Sequence, residues 1–288
     1  VTVSEAGQRV VPGREPPSLT APGRKVLLFG GSTTFGMGVD DRETIPAYLQ
    51  EALDNTGIRA TVYNMGVVAY HSTQERVLFE RLLNQGVRPD VAVFIDGLND
   101  FAFCDVPDRT EMSNLLAGVG KDRTRVSLAA ELAERSNVIK LIRYYTQGKA
   151  FWPTPGEACR DDAGVEAVIR RLDSNRRMIA AVARQFGVTP LFVQQPVPTY
   201  AYDNGRRAVP LPSLEALTYH RNSAVGYPRM RGMRDQGRLW TENVLWLEEM
   251  SIPGSMYVDT VHYSPAFHRA MAGRIFQELQ SLKVFEEK

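Results

Sequence analysis

Three short apolar segments, each closed by a glycine, constrain the fold of this chain more than any other feature. They are KVLLF (25–29), ATVYNMG (60–66) and DVAVFIDG (90–97), and segments with helical periodicity lie between them. Strands that are apolar along their whole length are buried on both faces, as in parallel sheets covered by helices. Two further strands are predicted at 189–196 and 255–259. The sequence therefore predicts an α/β protein with three α/β/α layers around a flavodoxin-like, doubly wound, five-stranded parallel sheet.

Capping residues predict where several helices begin. Thr44 is a plausible N-cap, and Ser72 is an N-cap whose capping box is completed by Glu75. Ser264 opens the last helix, in which His268 is predicted to lie at the surface. Further helices are predicted from their periodicity at 111–118, 126–146, 165–187 and 236–250.

The alternation of strands and helices predicts how the chain is organised into domains. Residues 1–23 contain four prolines and three glycines with almost no periodicity, so they are predicted to form an extended N-terminal arm. Residues 24–288 are predicted to form a single domain with two insertions, at about 98–164 and 197–235. No repeat or low-complexity tract divides this region.

Composition and charge argue against several classes of function. Of the 288 residues, 43% are hydrophobic and 23% are charged, which is typical of a globular protein with a full core. Basic and acidic residues number 34 and 33, and no run of like charges indicates a nucleic-acid or anionic membrane surface. No apolar run reaches the roughly 18 to 20 residues that span a bilayer. Four histidines and two distant cysteines disfavour a zinc site, and no metal site is predicted.

The cysteines and the beginning of the chain bear on localisation. Cys104 and Cys159 are either independent thiols in a reducing compartment or a disulfide that clamps the first insertion. The sequence does not begin with Met, and its first residues are rich in proline, which is compatible with an extracytoplasmic domain cut from an anchored precursor. A periplasmic or secreted location is therefore favoured over a cytoplasmic one, and a Cys104–Cys159 bridge would support it.

Polar residues follow the predicted strands at the edge where a doubly wound sheet binds its ligands. Ser32 follows the first strand, and Asp259 and His262 follow the last. An aspartate and a histidine three residues apart can face the same direction, so the carboxylate can accept the Nδ1 proton and leave Nε2 free to accept a proton from a serine. The alternative is that Asp259 caps the last helix, but Ser264 already serves as that cap. The three residues therefore suggest a nucleophile, a base and an orienting acid.

The loop around Ser32 also allows other interpretations. Its sequence, GGSTTFGMG (30–38), lacks the lysine of a GxxxxGK[ST] phosphate loop and the spacing of a GxGxxG dinucleotide motif. It also lacks the GxSxG elbow of ordinary α/β-hydrolases. A flavodoxin-like phosphate loop, rich in Ser, Thr and Gly, remains open on this fold.

Three groups near Ser32 are candidates for stabilising an oxyanion. Gly66 has no Cβ, so its N–H can approach a substrate oxygen closely, and Asn99 can donate from its side-chain amide. The N–H of Ser32 itself is the third donor. Simple turn geometry is the alternative role for Gly66, and a helix cap or turn is the alternative for Asn99.

Taken in chain order, these residues resemble the four blocks of the SGNH (GDSL-type) hydrolase superfamily, which is named for its Ser, Gly, Asn and His. GLND (97–100) and DTVH (259–262) fit the third and last blocks, and YNMGVVAY (63–70) fits the second. The resemblance runs from about residue 25 to the C-terminus, although only the blocks are close. The first block departs, since Gly31 stands where the superfamily usually has aspartate. Tyr263 also replaces the proline that often follows the histidine.

The resemblance implies a serine esterase that needs no metal or organic cofactor. Ser32 would attack an acyl carbonyl, His262 would take its proton, and Asp259 would orient the imidazole. The N–H groups of Ser32 and Gly66 and the amide of Asn99 would form the oxyanion hole.

The substrate is less clearly indicated than the reaction. The favoured interpretation is hydrolysis of a small acyl ester, in particular an acetyl ester, on a small molecule or a carbohydrate. An O-acyltransferase with the same triad and a non-enzymatic flavodoxin-like binding domain remain as alternatives. Tyr70 and Phe101, close in sequence to Gly66 and Asn99, are predicted to be pocket walls.

Overall fold

The apolar segments of the first hundred residues form the centre of one sheet. The computed structural model of the chain describes residues 1–4, 8–12, 18–104, 161–202 and 217–286. Within these residues five strands pair in parallel in the order β2-β1-β3-β4-β5. Their bounds are β1 Arg24–Gly30, β2 Ala60–Gly66, β3 Val91–Asp96, β4 Thr189–Gln194 and β5 Val244–Trp246. The predicted doubly wound sheet is confirmed, and its switch point lies between β1 and β3.

Helices cover both faces of this sheet. Those of the described residues are α1 Ser32–Phe35, α2 Ile45–Asn55, α3 Ser72–Asn84, α4 Leu98–Ala102, α5 Asp162–Gln185, α6 Ser223–Asp235 and α7 Pro265–Ser281. On one face, α2 and α7 bury residues such as Leu49 and Met271 against the strands. On the other face, α3 and α5 bury residues such as Phe79 and Ile179. The predicted three-layer arrangement is therefore confirmed.

Two predicted helix starts are confirmed, and one is wrong in detail. Thr44 Oγ1 accepts the N–H of Ala47 at 3.2 Å, and Ser264 caps α7 as predicted. Helix α3 begins at Ser72, but its N-cap is His71. The N–H of His71 donates to Gln74 Oε1 at 3.2 Å, so Glu75 does not complete the box.

The second half of the chain departs most from prediction. The helix predicted at 236–250 is wrong, because the fifth strand, β5, lies inside that range. The strand predicted at 255–259 is a loop with a single bridge between Tyr257 and Tyr263. Helix α6, which contains Pro228, lies in the segment predicted as an irregular insertion. The helices predicted at 111–118 and 126–146 lie outside the described residues.

The three remaining predictions concern the exposure of His268, the state of the cysteines and the bounds of the domain. His268, predicted at the surface, is fully buried in α7, and its Nδ1–H donates to the carbonyl of Glu43 at 2.8 Å. Burial lowers the pKa of His268 to about 4, which keeps the ring neutral at physiological pH. Cys104 is disulfide-bonded, while Cys159 lies outside the described residues. The single domain of residues 24–288 stays a prediction.

Candidate active site

A continuous hydrogen-bond chain joins three residues that lie far apart in the sequence. His262 Nε2 lies 2.9 Å from Ser32 Oγ, and His262 Nδ1 lies 2.6 Å from Asp259 Oδ2. Ser32 opens α1 directly after β1, and the loop before α7 carries the other two residues. The structure therefore brings together the serine, the histidine and the aspartate that the sequence singled out.

The aspartate of this chain is held by main-chain groups as well as by the imidazole. Asp259 Oδ1 accepts the N–H groups of Val261 and His262 at 2.9 and 2.8 Å. Partial burial by itself raises the pKa of Asp259, but the hydrogen bonds from His262 and Val261 outweigh it and lower the pKa to about 2. The carboxylate is therefore ionised throughout the neutral range and can accept a hydrogen bond from His262 Nδ1–H.

Helix α1, which carries the serine, has only one turn and is fixed by its neighbours. Thr33 Oγ1 donates to Gln195 Oε1 at the end of β4, at 3.1 Å. The side-chain amide of Asn64 donates to the carbonyl of Thr34 at 3.2 Å. At Gly66 a Cβ would lie 2.4 Å from the main-chain nitrogen of Phe35. Helix α1 can thus approach β2 only because a glycine stands there.

Asn99 lies at the start of α4, against the loop that precedes Ser32. Its Nδ2 donates to the carbonyl of Tyr70 at 2.7 Å, and the residue is 8% exposed. A Cβ on Gly31 would lie 2.3 Å from this Nδ2 and 3.1 Å from the Tyr70 carbonyl. One of the two amide protons is donated to Tyr70, and the other has no acceptor among the described residues.

The predicted donor at Gly66 is engaged within β2. Its N–H donates to Asn64 Oδ1 at 3.0 Å. By contrast, the N–H groups of Ser32 and Ala69 have no hydrogen-bond partner among the described residues. Ala69 has a φ of 67°, an uncommon conformation for a residue with a side chain, in a turn closed by Tyr70 N–H and the carbonyl of Val67 at 3.1 Å. Sequence reasoning missed Ala69, because nothing in its residue type signals a positive φ.

The two predicted pocket walls differ in their surroundings. Phe101 is 0% exposed and packs in the core, with its ring centroid 5.8 Å from that of Tyr227, so the structure does not place it at a pocket surface. Tyr70 is partly exposed beside Asn99, and its role as a pocket wall stays a prediction. His220, from the second predicted insertion, lies within electrostatic range of His262. Burial and then the charge of His262 lower the pKa of His220 to about 4.

Three carboxyl groups are buried near helix α4, the helix that carries Asn99. Glu75, Asp96 and Asp100 are 1%, 4% and 0% exposed, and Asp100 accepts the hydroxyl of Ser72 at 2.6 Å. Burial raises the pKa of Glu75, and the neighbouring Asp96 and Asp100 raise it further. Burial likewise raises the pKa of Asp96, in spite of the positive charge of Arg176. This cluster therefore retains a proton that carboxyl groups in water release.

The described residues also bear on metal binding and on membranes. No group of three or more His, Cys, Asp or Glu side chains within them could hold a metal ion. None of the helices they contain is long and apolar enough to cross a membrane.

The fold and the site define an α/β/α protein with a Ser–His–Asp hydrogen-bond chain at the carboxyl ends of its strands. In a scan against protein families, the GDSL-like lipase/acylhydrolase family matches residues 28–222. The chain belongs to this family and is a carboxylic ester hydrolase. A comparison with curated proteins found no match.

Several solved structures are similar to this chain. The crystal structure of TesA is 17% identical with a TM-score of 0.47, over 90% of this chain and 99% of that chain. A psychrotrophic esterase, EstA from Pseudoalteromonas sp., is 10% identical with a TM-score of 0.46, over 90% and 98%. A carbohydrate acetylesterase family member from Sinorhizobium meliloti is 16% identical with a TM-score of 0.45, over 90% and 98%. At these values the likenesses say nothing about the substrate of this chain.

Proposed function

We propose that this chain hydrolyses a small acyl ester with Ser32 as nucleophile, His262 as general base and Asp259 as the acid that orients it. The observation that carries the proposal is the pair of contacts from the imidazole, 2.9 Å to the serine and 2.6 Å to the aspartate. Asp259 accepts a hydrogen bond from Nδ1–H, which fixes the tautomer and leaves the Nε2 lone pair directed at the serine hydroxyl.

The reaction proceeds in two steps, acylation of the serine and hydrolysis of the acyl-enzyme. Ser32 Oγ forms a bond to the acyl carbon while its proton passes to His262 Nε2. The imidazolium, stabilised by Asp259, then protonates the leaving alcohol as the ester C–O bond breaks. In the second step His262 accepts a proton from water as the water attacks the acyl carbon. The bond between that carbon and Ser32 Oγ then breaks, the imidazolium returns its proton to Oγ, and the acid is released.

Three donors are available for the negative charge of the tetrahedral intermediates. They are the main-chain N–H of Ser32, the second amide proton of Asn99 and the N–H of Ala69. Ala69 replaces Gly66 in this role, because the Gly66 N–H already donates to Asn64. One such donor typically contributes about 2.7 to 4 kcal/mol of transition-state stabilisation.

The close packing around the nucleophile favours a short acyl group. Ser32 is only 8% exposed, and the Asn99 amide and the Tyr70 carbonyl lie against Gly31 beside it. An acetyl group occupies little space there, whereas a long acyl chain needs room that these contacts restrict. Acetyl esters of small molecules or carbohydrates are the substrates we propose.

Labelling by a fluorophosphonate tests the nucleophile directly. Intact mass is measured after treatment of the wild type and of Ser32→Ala, with Ser18→Ala as a matched control at an exposed serine. We expect one adduct on the wild type and on the control, and none on Ser32→Ala. A folded wild-type protein that takes up no adduct contradicts the proposal.

A series of p-nitrophenyl esters tests the acyl preference. We expect kcat/KM to fall from acetate through butyrate to octanoate. Release of free acetate in water, measured with and without an added sugar acceptor, separates hydrolysis from acyl transfer. A higher kcat/KM for octanoate than for acetate contradicts the proposed preference.

A further inference from the structure

An arginine from the N-terminal arm is buried beside the helix that carries the nucleophile. The side chain of Arg9 is 0% exposed, although arginine is rarely buried completely. The arm folds back on itself, so that Val3 and Arg9 form an antiparallel bridge. The match to the family begins only at residue 28. The contact of Arg9 with the domain therefore comes from a part of the chain that the family match does not include.

The guanidinium group of Arg9 binds the turn that follows α1. Nη1 donates to the carbonyl of Phe35 at 3.1 Å and also to that of Gly36. Nη2 donates to the carbonyl of Val39 at 2.8 Å, and Nε donates to Asp41 Oδ1 at 2.7 Å. The planar fork thus holds three main-chain carbonyls in fixed directions and keeps its charge paired, which the single ammonium of a lysine cannot do.

The turn held by Arg9 connects the nucleophile to the segment that carries the orienting aspartate. The carbonyl of Ser32 accepts the N–H of Gly36 at 2.9 Å, so a movement of the turn is transmitted to the serine. A Cβ on Gly38 would lie 2.6 Å from Val258 Cγ2, so the same turn also contacts the residue before the aspartate.

We propose that Arg9 is a positioning residue, which holds the serine at the distance and angle that attack requires. This inference rests on the proposed function of Ser32. Without the guanidinium, the carbonyls of Gly36 and Val39 lose this donor, that of Phe35 keeps only the Asn64 amide at 3.3 Å, and the turn relaxes. A misplacement of about 1 Å at a reacting group can reduce a rate on the order of 100-fold. Since Arg9 does not touch the substrate, its loss changes kcat and leaves KM nearly unchanged.

The test measures the rate of fluorophosphonate labelling and the kcat and KM for p-nitrophenyl acetate. The variants are Arg9→Ala and Arg9→Lys, with Arg88→Ala as the matched control. Arg9 lies over the ring of Phe35, and Arg88 likewise lies over an aromatic ring, that of Phe186. Arg88 also binds main-chain carbonyls, those of Leu83 and Val87, but it lies before β3, at the opposite end of the sheet. Circular dichroism and Tm establish that each variant is folded under the assay conditions.

We expect Arg9→Ala to lower both the labelling rate and kcat by at least about 10-fold. Added guanidinium, at low millimolar and non-denaturing concentration, should restore the rate of Arg9→Ala but change neither the wild type nor Arg88→Ala. Arg9→Lys should recover only a minor part of the loss. Rescue by guanidinium separates positioning from a general loss of stability, which added denaturant can only worsen.

Several results overturn the proposal. One is a folded Arg9→Ala that labels within twofold of the wild type, and another is an equal loss in Arg88→Ala. A loss that guanidinium does not rescue also counts against it. If Arg9→Ala does not fold, Arg9→Lys is used in its place. A labelling rate of Arg9→Lys within twofold of the wild type then refutes the proposal. A wild type without any Ser32 adduct instead refutes the proposed function.

Discussion

Replacing Gly31 by alanine is expected to damage catalysis through Asn99 rather than through the serine itself. Gly31 has a φ of −82°, which alanine adopts without strain, so the backbone does not resist the change. The added Cβ, however, would lie 2.3 Å from Asn99 Nδ2. The amide must therefore retreat by about 1 Å to reach an ordinary contact of at least 3.4 Å.

The expected loss of activity in Gly31→Ala follows from the two roles of the Asn99 side-chain amide. Its retreat weakens the 2.7 Å hydrogen bond to the Tyr70 carbonyl, worth about 1 kcal/mol of stability. It also moves the proposed oxyanion donor out of reach. Loss of one such donor lowers kcat by about 100- to 1,000-fold, or about 2.7 to 4 kcal/mol. KM should change little, because the donor binds the transition state more strongly than the ground state.

The assay is the kcat and KM for p-nitrophenyl acetate in a double-mutant cycle. If Gly31→Ala acts through Asn99, the double variant Gly31→Ala/Asn99→Ala should be no slower than Asn99→Ala alone. Gly232→Ala is the matched control, because a Cβ at Gly232 in α6 meets nothing within 4 Å. It should keep full activity and gain stability of up to about 1 kcal/mol.

Two outcomes refute this reasoning. One is a folded Gly31→Ala whose kcat is within threefold of the wild type. The other is a double variant whose losses add, which would place the effect of Gly31 elsewhere. Gly31→Asp is a further check, because it restores the residue that the superfamily usually has. Its Cβ meets the same amide, so we expect it to lower kcat as well.

Two further substitutions test the charges of the site. In Asp259→Asn, an amide nitrogen that faces His262 Nδ1 favours the tautomer with its proton on Nε2, so kcat should fall on the order of 10³- to 10⁴-fold and further than in Asp259→Ala; equal activity of the two variants would contradict this tautomer argument. In the folded protein the pKa of Glu75 is raised by burial and by its acidic neighbours, so folding retains a proton and stability falls as pH rises above the ordinary carboxyl pKa. As pH rises above the ordinary carboxyl pKa, Glu75→Gln should flatten the decline in the free energy of unfolding by up to about 1.4 kcal/mol per pH unit, measured by urea denaturation, and an unchanged slope would show that Glu75 does not hold this proton.

Local patterns predicted the parts of the fold that local interactions determine. Strands β1 to β3 have six or seven residues each and are mostly apolar, and the caps at Thr44 and Ser264 are specified by their own side chains. Strand β5 has three residues and gives too short a signal to separate from helical spacing. Helix α6 contains Gly226, Pro228 and Gly232, which indicate a loop, yet Tyr227 and Met230 bury its face against the core and outweigh that tendency.

The candidate site was predictable where its residue types carry the chemistry. Ser32 follows β1 and opens α1, Asp259 and His262 lie in the loop before α7, and all three side chains are distinctive. The oxyanion donors were harder, because a main-chain N–H belongs to every residue type except proline. Only the structure shows that the N–H of Gly66 is engaged and that Ala69 has a positive φ.

Helix α1, which carries the proposed nucleophile, explains why much of this site cannot be predicted from local sequence. A helix of four residues cannot hold its own conformation in water, since isolated helices shorter than about 12 to 15 residues are marginal. Its geometry must therefore come from segments that contact it. Asn64 holds it from β2, Gln195 from the end of β4, and Arg9 from the N-terminal arm. These contacts span 30, 162 and 26 residues of sequence. The serine is thus specified locally, whereas its position is specified by the fold.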